Sequence, residues 1–230
     1  MKRVLDVSRI QLVNWPTVVG YPLAILAALP ILGLLIDITN GETITDHQIF
    51  ILPTPYLMIA TAHLQTMTQM FPFALGLSVT RRAFYAATAL VVTAQAALFG
   101  LLMLAFDGME RMTGGWGRHI QIFGLGPLRQ DNPVAQWLAY TVPLMVVSAI
   151  AVLVGVVFQR WRQTGIYVAG LGSAALFTGV GVLVTKQGWW PAVGRFFAGQ
   201  PTLALVAGYP LLIALLIGGV GWLAIRRATP

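Results

Sequence analysis

Three histidines, two lysines, twelve arginines and seven carboxylates are the charged or readily titrated side chains from which this chain could build acid–base or metal chemistry, because it has no cysteine. Their spacing builds none. His47, His63 and His119 lie too far apart for a local zinc motif and form no H-E-x-x-H. A G-x-S-x-G nucleophile turn is missing. Gly170, Leu171, Gly172 and Ser173 match only its beginning, and small residues on a spanning helix serve packing. A phosphate-binding P-loop needs a glycine before its lysine, whereas Lys2 follows Met1 and Lys186 follows Thr185. Any ATP and magnesium chemistry therefore belongs to another chain, and no cofactor is expected on this one.

Two other patterns remain. Thr61, His63, Gln65, Thr66, Thr68 and Gln69 concentrate polarity without a formal charge, and Thr61, Gln65 and Gln69 recur every four residues on one helical face. Hydrogen bonding between helices would use this pattern, and so would a surface facing a substrate. Met58, Met67, Met70, Phe71 and Phe73 surround it and suit an apolar or amphipathic ligand. His63 is the only ionisable group well inside an apolar run, so a proton relay has no second member. The second pattern is Ser78-Val-Thr-Arg-Arg-Ala-Phe-Tyr85, a short turn with two arginines beside an aromatic pair. It would serve as a docking surface or as a positive clamp on topology.

The elements that must position these groups follow from composition. Hydrophobic residues make up 57% of the 230 and charged ones 9%, against about 25% charged in soluble domains. Fourteen basic and seven acidic side chains cannot cover a soluble surface of this size, so most of it must face lipid. Their net charge of +7 lies between apolar runs, where it sets topology, and no nucleic-acid partner is expected. Six runs are long enough to cross a bilayer, at about 17–36, 49–77, 83–106, 134–158, 165–184 and 203–225. Pro22 and Pro30 predict a bend in the first.

Nine of the fourteen basic residues fall in the N-terminus (Lys2, Arg3, Arg9), the turns at Arg81–Arg82 and Arg160–Arg162, and the tail (Arg226, Arg227). The alternate connections hold six of the seven acids: Asp37, Glu42, Asp46, Asp107, Glu110 and Asp131. The positive-inside rule then places both termini in the cytoplasm. The expected fold is an all-α polytopic membrane protein forming a single transmembrane domain of residues 1–230. Trp15, Trp137, Trp161, Trp189, Trp190 and Trp222 fall near run ends, as interfacial anchors would. Arg3 to Trp15 alternates charge and bulk, which suits an N-terminal helix in the cytoplasmic interface or a leader into the first span. Asp107 to Pro133 reads as an external loop with short interfacial pieces. Gly165, Gly170, Gly172, Gly179 and Gly181, with Gly218, Gly219 and Gly221, would allow close helix approach.

The string Phe71-Pro-Phe-Ala-Leu-Gly-Leu-Ser-Val-Thr-Arg-Arg-Ala-Phe-Tyr-Ala-Ala-Thr88 resembles the junction of the second and third spans in the ABC-2 type permease family. The layout resembles that family too, with an amphipathic N-terminal segment and a Gly- and aromatic-rich stretch, Gln187 to Pro201, before the last span. The resemblance implies the membrane subunit of an ATP-binding cassette exporter in a bacterial cytoplasmic membrane. Two copies of this chain would form the pathway above two copies of an ATP-binding subunit. It implies that Thr80, Arg81, Arg82, Phe84 and Tyr85 couple to that partner, and that Thr61, Gln65, Gln69 and Phe73 line the substrate pathway. A substrate-capturing membrane subunit of an importer, also served by a separate ATPase, is the alternative. The Asp107–Pro133 connection is longer than the family's, and no acidic residue follows the two arginines.

Overall fold

The computed structural model describes residues 2–40, 47–126 and 129–226; Glu42, Asp46 and Arg227, and the side chains of Lys2 and Arg3, lie outside what is described. The chain is almost wholly helical: α1 (Lys2–Leu12), α2 (Tyr21–Asn40), α3 (Pro53–Gln65), α4 (Phe71–Gly76), α5 (Arg81–Met112), α6 (Pro133–Lys186), α7 (Trp190–Ala198) and α8 (Tyr209–Arg226). Two short strands, β1 (His47–Gln48) and β2 (Ile120–Gln121), pair in parallel. Among the described residues four helices are long and apolar enough to cross a membrane: Pro16–Thr39, Arg81–Met112, Pro133–Lys186 and Ala204–Arg226. Their broadly exposed apolar side chains make this a membrane-embedded helical protein. The helical path through α3 and α4 holds the polar stretch and is not among the four.

Proline shapes three of the helical paths. Each of Tyr21-Pro22, Phe71-Pro72 and Tyr209-Pro210 comes directly after a single π turn, Pro16–Gly20, Thr66–Met70 and Ala204–Gly208. Proline has no N–H and its ring crowds the carbonyl four residues back, so the backbone widens there. The aromatic residue then donates its N–H five residues back, Tyr21 to Pro16, Phe71 to Thr66 and Tyr209 to Ala204. This widening frees carbonyls, which in lipid must find other donors. Gln159 Nε2 donates to the carbonyls of Met67 and Thr68, both at 2.9 Å. Gln95 Nε2 donates to that of Val18, four residues before Pro22. The bend expected of the first apolar run is therefore a π turn, and a glutamine on a neighbouring helix supports it.

Helix ends differ from the apolar runs in physically specific ways. Asn132 caps α6, its Oδ1 accepting the N–H of Val134 at 2.8 Å, with Pro133 at the first helical position. Residues 133–186 form one path interrupted at Arg162, where φ is 54° and ψ −146°, a conformation that strains any residue but glycine. The limb beyond, 163–186, is exposed along nearly its whole length. A methyl added at Gly170, Gly172, Gly179 or Gly181 on it would touch no neighbour, nor would one at Gly218 or Gly219 on α8. Close approach occurs at Gly221 against Tyr85, and at two glycines outside those runs, Gly155 against Met67 and Gly100 against Thr141.

Helix α5 lies in the middle, against α1, α6 and α8. Two cores form along it. One gathers Val7, Met67, Phe71, Phe84, Val156 and Ile225 near its start, and the other Leu29, Ile59, Phe99, Met103, Ile122 and Phe123 near its end. The long connection after α5 thus packs inside, with Ile120, Ile122 and Phe123 fully buried. The tryptophans divide as well. Trp15, Trp161, Trp189 and Trp190 are exposed, whereas Trp137 donates its Nε1 to the carbonyl of Ala97 at 3.0 Å and Trp222 packs on Tyr85.

Candidate functional site

The arginine turn begins where α4 ends. Ser78 takes a left-handed φ of 62°, Leu77 is exposed, and Thr80 caps α5 by accepting the N–H of Ala83 at 3.3 Å. Arg82 is exposed and Arg81 half-buried at the tip. Phe84 and Tyr85 do not share that surface. Phe84 is fully buried and meets Phe71 edge-on at 5.2 Å, and Tyr85 donates its hydroxyl to the carbonyl of Gly218 at 2.7 Å. The five residues of the turn therefore split into an outer group, Thr80, Arg81 and Arg82, and an inner pair bolted to α4 and α8. A force on the arginines would reach both helices through that pair.

The polar face that begins on α3 is not uniform in its surroundings. Thr61 is exposed and bonds its own helix through the carbonyl of Leu57, and Phe73 is exposed beyond the turn. Gln65 and Gln69 line a polar cleft of about 40 Å³ under α1, with Gln11, Asn14 and Thr17. Gln11 is 2% exposed, donates to Thr88 Oγ1 at 2.9 Å and leaves its Oε1 without a partner among the described residues. Gln65 and Gln69 thus share one cleft, while Thr61, one turn earlier on α3, lies outside it. His63 is buried and faces Gln95.

A larger, mostly apolar cavity of about 270 Å³ opens between α5, α6 and α8, lined by Tyr85, Thr88, Val92, Met145, Val152 and Gly218. The sequence singled out Tyr85 and Gly218 for other roles and the remaining four for none, because the cavity draws on three distant segments. Its size approaches the smaller ligand pockets, about 300 Å³. Tyr85, Thr88 and Thr93 supply hydroxyl groups on a mostly hydrocarbon wall.

The third site lies at the other end of α5. Asp107 is 26 residues beyond Arg81, about 39 Å along a helix rising about 1.5 Å per residue. Asp107 and Glu110 are 1% and 4% exposed. Glu110 accepts the successive N–H groups of Ile122, Phe123 and Gly124 at 2.8, 3.0 and 2.9 Å, and Trp116 Nε1 at 3.3 Å. Its charge is thus spread over four donors and holds the connection down on α5. Tyr140 adds a bond to the carbonyl of Phe123 at 2.9 Å, and Arg118 pairs with Asp37. Asp107 pairs through Oδ2 with Arg111 and leaves Oδ1 buried without a partner among the described residues. Both carboxylates border a polar cavity of about 120 Å³.

The sequence reading, which ended the third apolar run at Phe106, counted these two acids only as charges on an external connection and missed their place inside the packing. The helix continues to Met112 because the carboxylates are neutralised by donors up to fourteen residues away. The apolar run Ile120-Gln-Ile-Phe-Gly-Leu125 was the available signal of a packed connection. No group of three or more metal-ligating side chains occurs among the described residues. No family model, curated protein or solved structure matches the chain.

Proposed function

We propose that the chain is the membrane-spanning subunit of an ATP-driven exporter of hydrophobic or amphipathic compounds, in a bacterial cytoplasmic membrane. It crosses the membrane six times with both termini in the cytoplasm. The six crossings are the four long apolar helices, with α6 counted as two limbs about its break at Arg162, and the path through α3 and α4. Two copies form the pathway, and two copies of a separate ATP-binding subunit carry ATP and magnesium beneath them. The exposed, predominantly apolar limb 163–186 supports an arrangement in which lipid or a second copy surrounds it.

One observation carries this reading. The turn at Leu77–Arg82 presents a threonine-capped pair of arginines at the end of the bundle, while Phe84 and Tyr85 tie its base to α4 and α8. Closure of the ATP-binding pair would push on Thr80, Arg81 and Arg82. The rigid base would pass the movement to α4, whose π turn offers a place to bend. The apolar cavity between α5, α6 and α8 supports a hydrophobic ligand, and the Gln65–Gln69 cleft would orient polar groups of one. An importer subunit that captures its substrate as a monomer would use the same cavity without the arginine contact.

The test is a double charge reversal, Arg81→Glu with Arg82→Glu, in the chain co-expressed with the ATP-binding subunit that this reading requires. The reading predicts loss of co-purification, or of substrate-stimulated hydrolysis, in a correctly inserted protein. Unchanged hydrolysis and transport in that variant would return the turn to a topological clamp.

A further inference from the structure

The Asp107 cavity is not needed by the exporter reading, and its chemistry points to a ligand of its own. Asp107 Oδ1 is a carboxylate oxygen, buried to 1% exposure of its residue, with no donor among the described residues. Such an oxygen is costly to leave unmatched. The space in front of it depends on Gly124, where a Cβ would stand 3.1 Å from both Asp107 Oδ1 and Glu110 Oε1; Gly114 and Gly115 also line the cavity. Glu110 has its donors already, and Arg111 occupies only Oδ2. What is missing is a small cationic donor at Oδ1. Arg129 and His119 at the rim leave room for an anionic group further out on the same ligand.

We propose that this cavity binds a primary ammonium group, with Asp107 Oδ1 as its acceptor. One N–H of a compact ammonium would meet the free Oδ1 as a charge-assisted bond, and about 120 Å³ leaves room for water on the other two. A trimethylammonium has no N–H to give and is bulkier. The ammonium would come from an ethanolamine lipid headgroup, whose phosphate would reach Arg129, or from a soluble amine. The depth of the site, about 39 Å along α5 from Arg81, places it at the headgroup level opposite the arginine turn, since the hydrocarbon core is about 30 Å thick.

The experiment follows the melting of the full chain in a neutral detergent against ethanolamine hydrochloride and choline chloride at matched ionic strength. Ethanolamine should raise the melting temperature saturably by about 2–4 °C, with choline inert. Asp107→Asn removes the acceptor and Gly124→Ala fills the space, so either should abolish the rise. Equal responses to the two cations, or a response retained in Asp107→Asn, would overturn the proposal. If neither variant folds, the selectivity of the unaltered chain for ethanolamine decides alone. Nanodiscs with ethanolamine or choline headgroups then separate the sources. Stabilisation by the ethanolamine lipid that free ethanolamine cannot increase identifies the headgroup; a free-amine response of equal size in both discs identifies a soluble ligand.

Discussion

Glu110 holds together the end of the bundle away from the arginine turn, because three consecutive backbone N–H groups and an indole converge on one buried carboxylate. Replacing it with Gln keeps the shape but converts charge-assisted bonds to neutral ones and sets an amide N–H₂ against N–H donors. The expected cost is about 2–3 kcal/mol, read as earlier melting in detergent, whereas Glu110→Asp should lose fewer of the bonds. Tyr85 gives a second test at this scale. A methyl on Gly221 would meet its hydroxyl, so Gly221→Ala should destabilise the α5–α8 contact. Tyr85→Phe gives up the bond to Gly218, about 1 kcal/mol, but makes room for that methyl. The double variant should therefore melt later than the sum of the two single losses predicts, and strict additivity would contradict the contact.

Among elements, the coupling of proline to glutamine is the feature that sets helix shape. Pro72 frees the Thr68 carbonyl, the adjoining π turn frees that of Met67, and both are taken by Gln159. Gln159→Leu should cost about 1–2 kcal/mol in the unaltered background. In Pro72→Ala, where residue 72 regains its N–H, the same change should cost clearly less, and denaturation in mixed micelles would measure the difference. An equal cost in both backgrounds would mean that the glutamine serves something other than the freed carbonyls. The prolines and the expected bend were readable in the sequence, since proline chemistry is local. The glutamine partners were not, because Gln95 and Gln159 lie 77 and 92 positions from carbonyls that a one-dimensional pattern cannot pair. The same distinction explains the arginine turn. Its cap and exposed charge follow from Thr80, Arg81 and Arg82 themselves, while the inward aim of Phe84 and Tyr85 depends on Phe71 and on α8.

For the whole molecule, composition alone made the membrane legible, because so few charges cannot hydrate this much apolar surface. The packed connection after α5 was not legible, since its glycines and acids resemble a solvent-exposed loop until tertiary partners are supplied. An exporter of this architecture requires above all that the arginine turn and the far end of α5 lie on opposite sides of the membrane, in one six-span bundle. The chain has no cysteine, so single cysteines report without background. Met112, 89% exposed, is the right probe for the outer end, because Gly115 has the Ile120 backbone where its side chain would go. Site-directed labelling with an impermeant maleimide in sealed vesicles of known orientation tests the claim directly. Leu77→Cys and Gln163→Cys should react only from the cytoplasmic side, and Met112→Cys and Trp189→Cys only from the opposite side; labelling of Leu77 and Met112 from the same side would contradict it.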